Sequence, residues 1–598
     1  MMTPGLREFV LEAPAEDPGN AASRDQQNDQ QNDQGKDPSP SAQDPQPAAQ
    51  DALPAVLAAL AQVFTVAAEP GAPASGVRRR TWLDTFDWRL YRAGLVLEVE
   101  QASRTSRLLL TKTAPAPVLQ AEQPVTGWPP RRPATDLPPG QVRDQIAALI
   151  SPRALLPVVR AVSTVSAMRL QNAEGKTVAW LLVDRPTATA TTAATAAIKA
   201  GTTVGLPARL AVTEVRGYPA QARKAASLLA AVPGVNPVTP AQQSVFAAAL
   251  AALGHHPANY TSGVDAQITA QLPASVAVAR LLLRLLDTLE LNVDGVLRDI
   301  DTEFLHDLRV AVRRTRSALK LLGEVLPADL VKQYAAEFKR LGDLTTPTRD
   351  LDVYLLGFGA MTEQLQAASP ADLEPFRVFL AQRRAREFRR LAAALRSARF
   401  GALTRDWRKA LVEVRDASTL RKPSRKTAPK ARKPRPRREP TAATLALSTT
   451  SHAFRRIAAR GGAITQDSPP ESLHDLRKRC KELRYLLEFF APLHDPVAYK
   501  KVVGDLKQLQ DCLGEFQDSQ IQREEIGALA DAMLAEHAAP AATLLAMGEL
   551  AAHLAVSQAQ ARGDFARRFA KFAAPAAQLR IRTLLGESQA SPAAEASP

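Results

Sequence analysis

The chain has 598 residues, with 76 Lys plus Arg against 61 Asp plus Glu, a formal net charge of +15 and a pI of about 9.9. That length exceeds one ordinary domain, and 45% hydrophobic but only 5% aromatic residues favour helical cores over a large β-sandwich. Two cysteines exclude a disulfide framework and a CxxC metal site, and no apolar run approaches the ~18 residues of a membrane span.

The opening MMTPGLREFV lacks the basic and apolar regions of a signal peptide, which predicts a cytoplasmic protein. LREFVLE at 6–12 reads as a strand. Residues 13–51, rich in Gln, Asn, Asp, Pro and Ala, hold almost nothing to bury and read as a disordered insertion. Residues 55–250 are mixed α and β. Strands are predicted at 95–100, 107–112, 178–184 and 209–215, and a helix at 219–232. Residues 186–207 read as an Ala/Thr loop. The His255–His256 pair falls in a loop and is assigned no role.

From about 268 the pattern turns helical, with apolar residues at three- and four-residue spacing. Cys480 and Cys512 sit inside these patterns as free buried thiols. One segment interrupts them. Residues 421–438 carry ten Lys/Arg, no acid and prolines at 423, 429, 434 and 436, the texture of an extended linker. The small, polar tail from 587 reads as disordered.

LHDLR occurs at 305–309 and again at 473–477, an offset of 168. The same offset pairs Lys332 with Lys500, Lys339 with Lys507, Leu341 with Leu509, Asp343 with Asp511 and Asp350 with Asp518. The helical half is therefore a duplication. Each copy carries cations in one register: His306, Arg309, Arg313 and Arg316 in the first, His474, Arg477, Lys481 and Arg484 in the second. On a helix these positions fall within an arc of roughly 80°. Arg314, Lys320 and Lys478 lie at the margins. A row of like charges opposes helix stability, and a single such row is ordinarily a solvated, ion-paired face. Two rows in one register point to a basic groove for a linear polyanion, gripped by Arg forks and Lys point charges. The histidines are anion donors, strengthened at low pH. No Cys/His cluster has metal spacing, so neither metal nor cofactor is expected.

The helical half resembles the CHAD family through HDLRVAVRRTRSALKLL and LHDLRKRCKELRYLLEFF, with LGDLTTPTRDLDV (341–353) and LKQLQDCLGEFQDSQ (506–520) matching its later helices. The stretch 341–353 is one or two residues longer than the family pattern, which predicts a loop change. The resemblance covers 268–590, with 420–440 as a linker between halves and 591–598 as a tail. It implies an all-α domain of two pseudo-symmetric four-helix bundles that binds inorganic polyphosphate without catalysis, on cytoplasmic polyphosphate granules. Carried over by position are the eight stripe residues, with Lys332, Lys339, Lys500 and Lys507 as weaker matches. Granule proteins are further candidate partners, and nucleic acid is a weaker alternative.

Residues 1–12 and 52–255 resemble a CYTH domain, the triphosphate tunnel family, through TWLDTFDWRLYRAGLVLEVE (81–100), RLLLTK and AVTEVRGYPAQARKAASLL (211–229). This implies an α+β fold, an antiparallel barrel with helices. The family's Glu-x-Glu-x-Lys strand keeps only Glu8, with Val10 and Glu12 at the other two places, and Glu98 and Glu100 stand where arginines face triphosphate. Carboxylates there repel the substrate, and fewer acidic ligands weaken a Mg²⁺ site. The domain reads as degenerate and non-catalytic, with Mg²⁺-dependent triphosphatase activity as the alternative. Arg80, Arg89, Arg92, Lys112, Arg160 and Glu214 survive, and stabilising the fold is their preferred role.

Overall fold

The computed structural model describes residues 7–11, 53–70, 72, 75–102, 105–113, 117–125, 132–133, 136–191, 200–238, 244–419 and 439–584. The predicted insertion 13–51, the basic run 421–438 and the tail from 587 lie outside the described residues. The chain divides into two compact units, Met1–Thr261 and Ser262–Pro598. The first is an antiparallel sheet with helices and the second is all helix, the α+β then all-α order expected.

In the first unit the strands are β1 (Arg7–Leu11), β2 (Thr65–Ala68), β3 (Gly76–Asp84), β4 (Leu95–Ala102), β5 (Thr105–Lys112), β6 (Val118–Val125), β7 (Arg132–Pro133), β8 (Ala154–Gln171), β9 (Thr177–Ala190), β10 (Thr203–Gly205), β11 (Arg209–Glu214) and β12 (Val235–Pro237). The main hydrogen-bonded order is β12-β1-β11-β9-β8-β3-β4-β5-β6. Each predicted strand is present. The expected loop at 186–207 is corrected: β9 runs on to Ala190, and β10 pairs with its last turns, Thr203 opposite Thr189. Alternating threonines fit a pleated surface, a periodicity that Ala/Thr composition obscures. The long β8–β9 hairpin turns at Asn172, whose side chain accepts from the backbone N–H groups of Glu174 and Lys176 at 3.1 and 3.0 Å. Gly175 supplies the positive φ of +74° that this turn requires.

Five helices accompany the sheet: α1 (Leu53–Ala61), α2 (Arg89–Arg92), α3 (Gln141–Ile150), α4 (Pro219–Ala230) and α5 (Val245–Ala252). Apolar residues of α1 and α4 pack with β9 and β11 around Leu181 and Leu210. The short apolar α5 covers the face carrying Trp82, Val159 and Ala188, with Phe246 stacked on Trp82 at 5.6 Å between centroids.

The second unit contains α6 (Ala274–Leu297), α7 (Thr302–Leu322), α8 (Ala328–Leu356), α9 (Phe358–Thr362), α10 (Glu374–Leu395) and α11 (Ala398–Thr419), then α12 (Ala442–Gly462), α13 (Pro470–Phe489), α14 (Pro496–Ala535), α15 (Ala541–Ala573) and α16 (Pro575–Leu584). Helices α6, α7 and α8 begin at 274, 302 and 328, and α12, α13 and α14 at 442, 470 and 496. Each pair of starts is separated by the 168 residues of the sequence repeat. In α7 the buried side is Phe304, Leu305, Leu308, Val312 and Leu319, and Asp301 caps its first turn by accepting from Glu303 and Phe304. Burying that stripe turns the cationic one away from the local core.

The loop change expected in 341–353 is not found, because this stretch lies inside α8 with Pro347 within the helix. A proline removes one backbone donor. The Thr345 and Thr346 hydroxyls both donate to the Gly342 carbonyl nearby, at 2.9 and 2.8 Å. The two halves share structure at both ends. At the starts of α6 and α12, Ala274 N–H donates to Pro440 O at 2.9 Å and Ala442 N–H to Leu272 O at 2.8 Å. Elsewhere Tyr354, Phe376 and Leu380 of the first half enclose one cluster with Ile526, Met533 and Leu550 of the second. Both cysteines are buried and free.

Helices α6 and α7 approach closely where Gly295 meets the buried Phe304 ring, so that a Cβ at 295 would overlap the ring. Alanine in a helix gains about 0.5–1 kcal/mol over glycine, but overpacking a tight core costs about 1–3 kcal/mol. Gly295→Ala is therefore expected to lower stability by about 1–2 kcal/mol in urea unfolding. An unchanged midpoint would show that Phe304 moves aside freely.

Candidate anion-binding cleft

Helix α7 of the first copy packs beside α13 of the second. Between them, with α14 as a wall, opens a cleft of about 510 Å³. The first copy contributes His306, Arg313 and Arg314, and the second Arg477, Lys481 and Arg484. Six of the fifteen predicted residues thus meet in one place. The other nine do not line it: Arg309, Arg316, Lys320, Lys332, Lys339, His474, Lys478, Lys500 and Lys507.

Several predicted cations have a carboxylate partner, and one such pair recurs in both copies. Arg309 faces Asp350 at 3.8 Å, and Arg477 pairs with Asp518 at 2.8 Å. These are the same positions in the two copies. Arg309 also donates to the Thr346 hydroxyl. His474 Nδ1 meets Gln517 Oε1. At the matching place beside His306 stands Arg349, which together with burial, the larger effect, lowers the His306 pKa and favours the neutral ring. Arg316 lies against Gly342, and Arg484 reaches the matching Gln510 at 3.4 Å. Two pairs cross between halves, Arg314 with Glu488 at 2.8 Å and Lys320 with Glu482 at 2.7 Å. Arg484 also pairs with Glu488, Lys339 with Asp343 and Lys478 with Asp475.

Arg313 and Lys481 differ from these. They occupy one repeat position, 168 residues apart, both line the cleft, and neither forms an ion pair among the described residues. Arg313 lies over the Tyr485 ring, 5.9 Å from its centroid. Lys481 is pushed down to about 8 by burial, then by the neighbouring Arg477 and Arg313, against a smaller opposing pull from Asp518. The Nε atoms of Arg314 and Arg477 are buried without a hydrogen-bond partner among the described residues. Unpartnered donors around two unneutralised cations suit an anion with several oxygens. Lys332, Lys500 and Lys507 are exposed and away from this cleft.

Sequence reasoning did not assign a role to the acids here. Asp307, Glu488, Asp511, Glu515 and Asp518 also line the cleft. Asp511 and Asp518 were visible as members of the repeat, and a carboxylate kept at the same offset from each Arg was the available signal. Glu488 and Asp518 pair with Arg314, Arg484 and Arg477, while Arg313 and Lys481 have no ion pair among the described residues.

The sheet unit holds a larger cavity, about 1000 Å³, where Arg78, Arg80 and Arg209 face Glu8, Glu98 and Asp184. Arg80 is bound to Asp184 at 3.0 Å and lies 3.8 Å from Glu98. Burial raises the Glu98 pKa, against the pull of Arg80. Arg89 donates to the Ile150 and Ser151 carbonyls, and Arg92 to those of Ala258 and Tyr260. Both are occupied in holding the fold. Lys112, Arg160 and Glu214 are exposed and do not line the cavity. Among the described residues no group of three or more His, Cys, Asp and Glu converges to hold a metal. The residues present do not fit the divalent ion of an active triphosphate tunnel, and no catalytic step follows from them.

An antiparallel-sheet unit followed by a duplicated helical unit with a basic seam defines the class of this protein. Residues 280–527 match the family model of the CHAD domain, so the chain carries a CHAD domain there. The sheet unit is compatible with a CYTH-like barrel. Two solved structures resemble the chain. One is titled the crystal structure of the CHAD domain from the plant Ricinus communis, with 22% identity, 56% of this chain and 98% of that one covered, and a TM-score of 0.38. The other is PptA from Streptomyces chartreusis, with 16% identity, 50% and 99% covered, and a TM-score of 0.37. No curated protein matches the sequence. No helix among the described residues is long and apolar enough to cross a membrane.

Lys481 provides a test of the cleft's electrostatics. Its folded pKa lies below the 10.5 of an ordinary lysine, so between about pH 8 and 10.5 the unfolded chain binds more protons and stability rises with pH. Lys481→Met is expected to unfold at a higher temperature near neutral pH and to lack that rise. Equal pH dependence of the two melting curves would show that Lys481 is not strained.

Proposed function

We propose that this protein binds inorganic polyphosphate in the cleft between α7 and α13, without catalysing its conversion, and associates with polyphosphate granules in the cytoplasm. The observation that carries this reading is the meeting of Arg313 and Lys481, cations from the two copies, with no carboxylate partner among the described residues. A phosphate chain supplies the missing counter-charge at closely repeated intervals. Arg477 and Arg484 can exchange their exposed carboxylate contacts for phosphate at little cost, since such pairs contribute only about 0–1 kcal/mol. The CHAD match supports the ligand's identity.

Binding is electrostatic and should weaken steeply with salt as counterions are released. Titration with long-chain polyphosphate at several salt concentrations, with DNA of matched phosphate content as competitor, tests the reading. Polyphosphate is expected to prevail near physiological salt, and Arg313→Glu with Lys481→Glu to weaken binding by about 100-fold or more. Equal competition by DNA, phosphate for phosphate, would make the protein a generic polycation.

The sheet unit is read as non-catalytic because Arg80 is neutralised by Asp184 and Glu98 and the cavity's charges balance. Incubation of the full chain with tripolyphosphate or ATP and Mg²⁺ should release no phosphate above a Glu98→Gln control. Release that depends on both Mg²⁺ and Glu98 would overturn this part.

A further inference from the structure

A second depression, about 460 Å³, lies between α7, α12 and α13. It shares no lining residue with the cleft. Among the described residues its cations are Lys320, Arg455, Arg456 and Arg479, with His452 beside them, against Glu324 and Glu482. Glu482 is already shared, by Lys320 at 2.7 Å and Arg479 at 2.9 Å. Arg455 and Arg456 have no ion pair among the described residues, and the buried Nε of Arg479 has no hydrogen-bond partner among them. The duplication does not account for this group. At the matching first-copy positions stand Asp287, Thr288 and Ala311, where the second copy has Arg455, Arg456 and Arg479.

We propose that this depression is a second, independent site for condensed phosphate, with no counterpart at the matching first-copy positions of Arg455, Arg456 and Arg479. Arg forks select oxyanions with several oxygens. Among the described residues no Phe, Tyr or Trp lines the site to stack a base, which favours a bare phosphate run over nucleic acid. The ligand is either a free oligophosphate or a second segment of a polymer. Two separate sites would let one protein molecule hold two stretches of polyphosphate and so cross-link them. The ligand class rests on the reading of the cleft, but the site itself does not.

Calorimetric titration of the full chain with tripolyphosphate tests it. The unaltered protein is expected to bind at two sites. Arg455→Glu with Arg456→Glu should weaken one by about tenfold or more and leave the other, while Arg313→Glu with Lys481→Glu should do the reverse. Arg455→Gln with Arg456→Gln, checked by melting temperature, guards against misfolding and should give a smaller loss in the same direction. A single site in the unaltered protein, or two sites unchanged in the Arg455/Arg456 variants, would overturn the proposal. Survival of the Arg455/Arg456 site when the cleft variant shows no loss would sink the cleft reading alone. Long-chain polyphosphate separates the sources: turbidity that appears with the unaltered chain and is lost in the Arg455/Arg456 variants means polymer cross-linking. Loss of tripolyphosphate binding without a change in turbidity means a free oligophosphate.

Discussion

Packing between the two copies holds Arg313 and Lys481 together against their own repulsion. At the effective dielectric of a protein surface, two like charges a few ångströms apart oppose each other by a few kcal/mol at most. Each fully buried Leu or Phe of the surrounding helices contributes about 1.5–3 kcal/mol. Phe376 and Leu380 of the first copy share one buried cluster with Ile526, Met533 and Leu550 of the second, so packing outweighs repulsion several times over. The cleft is thus a place where the fold sustains an electrostatic cost that an incoming anion removes. Burial first, then Arg477 and Arg313, lower the pKa of Lys481.

The acids set the limits of this effect. Asp350 and Asp518 neutralise equivalent arginines in the two copies, and Glu488 and Glu482 tie cations across the seam. Within the cleft, Arg313 and Lys481 stand without an ion pair among the described residues. A uniformly basic surface would repel itself and attract any polyanion.

The sheet unit shows the opposite arrangement. Its cavity is larger, yet Arg80 sits between Asp184 and Glu98, and α5 lays Phe246 and Leu250 along one wall. Size alone does not make an anion site. What distinguishes the smaller cleft is Arg313 and Lys481, which form no ion pair among the described residues.

Much of this was legible in the sequence, for reasons of period and offset. Three- and four-residue spacing placed the helices, and LHDLR recurring at 168 fixed equivalent helix starts in the two halves, because the same apolar pattern buries the same face. Strands at 95–100 and 209–215 followed from local alternation. The loop expected at 186–207 failed because threonine-rich β-structure and threonine-rich coil share a composition, and only pairing between β9 and β10 distinguishes them. The loop change expected from the extra length of 341–353 was likewise not found, since the stretch continues α8 through Pro347. For the site, the sequence alone determined which residues are cationic and which share a helical face. It did not determine which of those charges are cancelled. That depends on carboxylates about forty residues away, and on an approach of α7 to α13 across 168 residues. Ion pairing acts through space over a few ångströms, so only the tertiary structure decided that Arg309 is matched and Arg313 is not.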